Sequence, residues 1–218
     1  MEQKIFARRL GIHQRPSIAL NKALCENLFM IFVSVLNKIP IFVVGKPGSS
    51  KSLAVELLES SFSGDSSPSP FARSFPAIIL FRYQCSPLST AHGIAQTFSL
   101  ARKYEHPNTI VAVLLDEVGL AEQSPHLPLK VLHAELERSD RLSVIGLSNW
   151  TLDPAKINRG TLLTRPAPSE KELEKTASGI MKDSNTDMER YLGPLTKAYF
   201  GVYKRQTDNM MREFFGLR

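Results

Sequence analysis

Within twenty residues, from Ile41 to Ser60, the chain passes from an unbroken apolar run to a Gly/Pro/Ser loop and then to helical spacing. The run is "IFVV", the loop "GKPGSSKS" and the helical stretch "LAVELLES". An apolar run without alternation suits a strand covered on both faces, as in a parallel sheet beneath helices. A loop that turns from such a strand into a helix presents backbone N–H groups at the helix N-terminus, where the dipole favours an anion. This strand–loop–helix unit points to an α/β arrangement more sharply than composition does. Its wording is close to the phosphate-loop consensus G-x-x-x-x-G-K-[ST]. Gly45, Lys51 and Ser52 fall in place, and the second consensus glycine is Ser50. Ser50 keeps its N–H, so the cradle survives where its backbone takes a conformation open to a non-glycine residue. In such a cradle Gly45, Lys46, Pro47, Gly48, Ser49, Ser50, Lys51 and Ser52 would surround the phosphates. Lys51 would meet the β and γ phosphates, and the Ser52 hydroxyl would ligate Mg²⁺.

The parallel-sheet pattern returns downstream. Val111 to Leu115 is five apolar residues without alternation, and Ala77–Tyr83, Ser143–Leu147 and Thr161–Thr164 are further strand candidates. Helical spacing covers residues 21–36, where Leu24, Leu28, Ile31, Phe32 and Val35 share a face, then 89–104 and 129–138. Residues 60–76 are rich in Ser and Pro and read as a surface loop. No strand candidate follows Pro166. Ser169 and Glu172 stand in capping-box spacing. A second helix over about 187–205 carries Met188, Tyr191, Leu192, Leu195 and Tyr199 on one face. The closing "REFFGLR" has no stop signal and reads as a chain cut from something longer. The expected organisation is a lead-in over 1–20, a nucleotide-binding α/β core over 21–166 and a partial helical lid over 167–218.

Composition sets limits around this reading. The 218 residues, 43% hydrophobic and 22% charged, suffice for one sizeable core. A net charge of +6 fits either a solvated basic surface or an affinity for polyanions such as nucleotide phosphates. Cys25 and Cys85 form no C-x-x-C pair, so neither a zinc site nor a redox motif is supported, and a reduced, cytoplasmic setting fits best. "MEQKIFARRL" lacks the apolar stretch of a signal peptide. The most apolar region, Leu28 to Val44, is broken by Asn37, Lys38 and Pro40. Neither piece reaches the ~20 apolar residues that a bilayer span needs.

Three further motifs carry chemistry. "VAVLLDEVGLAE" places Asp116 and Glu117 at the end of the buried strand. Adjacent carboxylates there are costly unless a cation or water satisfies them. In a P-loop NTPase the Asp holds Mg²⁺, and the following Glu is placed to polarise the attacking water as general base. "LSVIGLSNW" ends a strand at Asn149, whose amide would stand between the two motifs and orient water near the γ phosphate. "LDPAKINRG" offers Arg159, either a surface arginine or a finger reaching a neighbouring subunit's nucleotide.

The order of these elements resembles the AAA+ ATPases. The phrases "GKPGSSKSLA", "YQCSPLST", "LLDEVGLAEQSPHLPLKVLH" and "SNWTLDPAKINRG", with the closing "KRQ…EFFGLR", are similar to an AAA+ unit of the mysterin-like giant RING-finger E3 ubiquitin ligases. The match covers most of residues 16–218, and that family carries the same Ser before the loop lysine. The resemblance implies a P-loop NTPase of AAA+ type: a five-stranded parallel sheet flanked by helices, then a truncated lid. It implies Lys51 and Ser52 as Walker A residues, Asp116 and Glu117 as Walker B, and Asn149 as sensor 1. Arg159 is implied as the finger, with Arg165 ranked second, and Arg218 as a lid arginine reaching the phosphates. ATP and Mg²⁺ are the implied cofactors. The implied partners are neighbouring AAA+ units, in cis or in a ring, and ubiquitin-pathway proteins through a parent chain. Nucleic acid is not expected. The resemblance alone adds an association with lipid droplets. Ligase chemistry is not expected in this segment, since two cysteines cannot build a RING. A second reading is a structural module that binds nucleotide and hydrolyses little. A GTPase is disfavoured, because no N-K-x-D motif follows the strand that ends at Asn149.

Overall fold

The computed structural model describes residues 1–138, 142–154, 159–181 and 189–208. Five strands form one sheet: β1 Ile41–Gly45, β2 Ala77–Gln84, β3 Thr109–Asp116, β4 Ser143–Ser148 and β5 Thr161–Arg165. Their order is β2-β3-β4-β1-β5, and every neighbouring pair is parallel. The register aligns the carboxyl ends. Gln84 lies opposite Asp116, Val44 opposite Ser148, and Gly45 opposite Arg165. Ligands of open parallel sheets bind at that edge.

Period-two alternation divides the strand residues between two cores. Ile41, Val43, Ala112, Leu114, Ile145 and Leu147 face the side covered by α1 (Glu2–Arg9), α2 (Lys22–Leu36) and α3 (Lys51–Ser61), beside which a short α4 (Pro70–Arg73) packs. Phe42, Val111, Val113, Leu115 and Val144 face the side covered by α5 (Ala91–Arg102), α6 (Val118–Glu122) and α7 (Val131–Glu137). All five expected α2 face residues are buried, and Asn21 caps that helix by accepting from Leu24 N at 2.8 Å. The helix expected over 129–138 opens as a 3₁₀ turn, Pro128–Lys130, before α7. Residues 1–20, set apart in sequence as a lead-in, supply Phe6, Ala7, Leu10 and Ile12 to the first core.

The segment 60–76 is not the plain surface loop its Ser/Pro content suggests. Ser69 caps α4, and its Oγ donates to Arg9 O. Phe71 and Phe75 join Phe6, Phe32 and Phe62 in an aromatic cluster with centroids 4.7–6.4 Å apart. Two aromatic residues four positions apart outweigh the polar residues around them, because rings of that size dominate burial.

Two helices follow the sheet, α8 (Glu170–Met181) and α9 (Glu189–Asp208). The capping box forms: Ser169 N donates to Glu172 Oε2 at 3.1 Å, and Glu172 N to Ser169 Oγ at 3.3 Å. Helix α8 lies close to the chain before α2. A Cβ added at Gly179 would meet Ala19 Cβ at 2.6 Å, and Asn21 Nδ2 donates to Thr176 Oγ1 at 3.1 Å. In α9 the inward stripe differs from the expected one. Leu192 and Thr196 are buried, whereas Tyr191 and Leu195 are exposed. This helix packs mainly on α8, so one narrow stripe is covered rather than a broad face. Met188 and Arg218 lie outside the described residues. Among the described residues, no helix is long and apolar enough to cross a membrane.

Candidate functional site

A cavity of about 390 Å³ opens at the carboxyl edge of the sheet, lined by residues 47–53, Asp116, Glu117, Leu147 and Asn149. The strand order explains the meeting. β4 lies between β1 and β3, so Asn149 stands between the loop after β1 and the carboxylates after β3. The structure thus brings together the phosphate-loop residues, Asp116, Glu117 and Asn149.

The loop is held from its inner side. Lys51 is buried, and its Nζ donates to the Gly45 carbonyl, to Lys46 O at 3.1 Å and to Ser49 Oγ at 3.3 Å. Burial lowers its pKa to about 8, against the opposing pull of Asp116 and Glu117. Gly45 is required by space: a Cβ there would come within 2.6 Å of Arg165 Cβ and 2.9 Å of Ser49 Oγ. Ser50 adopts φ +58°, ψ +27° as the N-cap of α3, a left-handed conformation open to non-glycine residues at a cost. Lys46, exposed on the rim, lies 5.6 Å from the Tyr203 ring centroid on α9, within cation–π range.

The carboxylate corner is built differently. Asp116 Oδ1 accepts from Glu117 N at 2.9 Å, and Glu117 sits at φ +51°, ψ +41° before α6. Glu117 Oε2 accepts from Gln84 Nε2 at 3.2 Å. Beneath them Cys85 is buried, and its thiol is pushed up to about 12, first by burial and then by the two carboxylates. Asn149 is presented by a turn that Ser148 closes, its Oγ donating to Trp150 O at 2.6 Å.

Neither Arg159 nor Arg165 lines this cavity. The Arg165 side chain is 8% exposed and forms an ion pair with Glu26 of α2. Arg159 is exposed, pairs with Glu137 Oε1 at 2.7 Å and contacts His133 on α7.

Three residues at the site escape a reading of the sequence: Gln84, Glu26 and Asn27. Gln84 is found only through its register with Asp116. Asn27 left a signal, since positions 24, 27, 28 and 31 form one buried helical stripe and Asn27 is its polar member.

Sheet order, loop and cavity define a P-loop NTPase fold of the AAA+ type. Solved structures share it. A single-residue variant of Thermotoga maritima RuvB superposes with a TM-score of 0.53 at 11% identity, covering 83% of this chain and 56% of that one. The Aeropyrum pernix ORC2 protein, in its ADPNP–ADP complexes, gives 0.56 at 14% identity, with 82% and 58% covered. At such identities the likeness is one of fold. The family model described as "RNF213 AAA domain" matches residues 17–172, and the chain belongs to that family. It is 42% identical over 224 residues to the human E3 ubiquitin-protein ligase RNF213, covering 95% of this chain. The chain spans about 4% of the length of the curated relatives it matches. It is an AAA+ nucleotide-binding module of an RNF213-like protein, the family that the sequence phrases resembled.

Proposed function

We propose that this module binds Mg·ATP and hydrolyses it. The observation that carries the reading is the meeting of residues 47–53, Asp116, Glu117 and Asn149 around one cavity. The donor set fits the cofactor. Mg²⁺ takes oxygen ligands and is held by one or two protein groups plus substrate phosphates. Ser52 Oγ and Asp116 are the oxygens that would hold it. When bound, Mg²⁺ neutralises charge on the phosphate oxygens.

The chain's own residues divide the remaining work. The loop N–H groups and Lys51 bind the phosphates, Lys51 as a point charge. Glu117 takes a proton from the attacking water, and Asn149 orients that water. Arg159 stands on the surface, outside its own chain's cavity, where a residue serving a neighbour's site has to stand. Arg165 is buried against Glu26, which favours Arg159 as the finger. The ORC2 structure bears ADPNP and ADP by its description, which supports an adenine nucleotide here. Neighbouring AAA+ units are the proposed partners, along with ubiquitin-pathway proteins through a longer RNF213-like chain. The proposed site of action is the cytoplasm.

Calorimetry tests the reading. Lys51→Ala should weaken Mg·ATP binding by about 1.5–3 kcal/mol, the range for hydrogen bonds to charged groups, and ATP should displace more readily than GTP. Equal affinities of the two forms would remove the loop from the site.

A further inference from the structure

Helix α2 reads from its sequence as a helix packed on something larger, and two adjacent polar residues on it also grip the site. Glu26 holds Arg165, whose strand position lies opposite Gly45. Asn27 is fully buried, and its Nδ2 donates to Ser49 O at 2.9 Å. Its Oδ1 is buried and has no hydrogen-bond partner among the described residues. A buried amide that satisfies only one end gains little net stability, since it pairs the Ser49 carbonyl but orphans its own acceptor, whereas an apolar residue would remove that orphan and leave the Ser49 carbonyl unpaired instead. Fold stability alone does not account for an asparagine there.

The peptide that Asn27 holds does account for it. No peptide bond among the described residues is cis, and in a trans peptide the C=O and N–H point opposite ways. Drawing the Ser49 carbonyl toward α2 turns the Ser50 N–H away from α2, toward the cavity that Ser50 lines. The position is under stress. Ser50 has φ +58° where the consensus has glycine. Flipping the 49–50 peptide would carry that φ by about 180° to a negative value, out of the left-handed region that costs a serine. The flip would also turn the N–H out of the cavity. A glycine would have little reason to flip, because positive φ suits it.

We infer that Asn27 is a positioning residue for phosphate binding: through the Ser49 carbonyl it locks the Ser49–Ser50 peptide with its N–H toward the cavity, compensating for serine in place of glycine. The inference rests on the nucleotide reading of the site. It adds a residue that touches no ligand and whose importance depends on Ser50.

The test is a double-mutant cycle in the 218-residue chain, with Mg·ADP as the probe. Affinity by calorimetry, the unfolding midpoint in urea and the Ser50 amide resonance are read for wild type, Asn27→Leu, Ser50→Gly and the double variant. Asn27→Leu should lower affinity about tenfold, as expected for one hydrogen bond to a charged group, with little change in midpoint and a displaced Ser50 amide signal before ligand is added. In the Ser50→Gly background the same substitution should cost much less, a coupling that simple packing would not produce. Asn27→Ala replaces Asn27→Leu if leucine does not fit. Equal losses in both backgrounds, or no loss at all while wild type binds, overturn the inference and leave the nucleotide reading standing. A wild-type chain that does not bind Mg·ADP overturns the nucleotide reading, and this inference with it.

Discussion

The phosphate loop and the carboxylate corner share one backbone device and use it to different ends. Each follows a strand with a non-glycine residue in the left-handed region, Ser50 at φ +58° and Glu117 at φ +51°, and in each that residue stands at the N-cap position of the next helix without a side-chain capping bond. Such residues cost on the order of 1–3 kcal/mol and persist where the surroundings over-determine them. Around Ser50 they do: Lys51 Nζ reaches three loop oxygens, and Asn27 holds a fourth. Around Glu117 the side-chain hold is lighter: its N–H donates to Asp116, its carbonyl accepts from Leu120 N at 2.9 Å, and, among the described residues, its carboxylate accepts only from Gln84 at 3.2 Å. A loop that binds gains from rigidity, because a preorganised cradle gives up little entropy on binding. The proton transfer proposed for Glu117 needs room to reach water, and one neutral hydrogen bond to its carboxylate leaves it that room.

The largest effect expected from this contrast is on turnover. Glu117→Gln keeps size and hydrogen bonding to Gln84 but removes basicity. ATP turnover, measured in the assembled state that the proposed finger role of Arg159 requires, should fall by roughly 10²–10⁴-fold with ATP affinity held, the usual contribution of a general base. Unchanged turnover would make the corner structural and favour a module that binds without hydrolysing.

A smaller effect separates the two regions by pH. Lys51 has a folded pKa of about 8, below that of a free lysine. Between pH 8 and about 10.4, the unperturbed value, the folded chain therefore carries fewer protons than the unfolded one. This group's contribution makes stability rise with pH across that window. Nucleotide affinity should move the opposite way, falling by about tenfold per pH unit at most as the ammonium is lost, with proton uptake on binding near pH ~8.5. Isothermal titration in buffers of different ionisation enthalpy reads that uptake. Its absence would mean that Lys51 does not meet the phosphates.

The smallest effect concerns strain. Ser50→Gly relieves the left-handed serine but frees the unfolded chain, and these terms of about 1–2 and 0.4–1 kcal/mol oppose each other. A net gain of about 1 kcal/mol or less is expected in urea unfolding. A loss would mean that the Ser50 side chain supports the loop in a way its backbone does not reveal.

Much of this was legible in sequence because it is local. The run Ile41–Val44, the loop that follows and the buried stretch Val111–Leu115 announce strands and an anion cradle through period and residue type alone, and Asp116, Glu117 and Asn149 stand at strand ends by the same logic. Local patterning fails where few neighbours exist. Helix α9 buries Leu192 and Thr196 while Tyr191 and Leu195 stay exposed, because the partner surface, not the period, selects the stripe. It also fails at Phe71 and Phe75, whose burial depends on rings from other segments.

What only the tertiary structure decided is which polar side chains hold the site. The bonds from Asn27 to Ser49, Gln84 to Glu117 and Arg165 to Glu26 join residues 22, 33 and 139 positions apart. Helical and strand periods relate neighbours within a few residues. No such rule sets Asn27 beside a loop formed after the next strand, or aligns Gln84 with Asp116. Sequence determined the groups able to do the chemistry, since residue type carries donor, acceptor and charge. Sheet order and helix packing determined which of them meet, since a hydrogen bond forms only within about 3 Å and folding alone closes that distance.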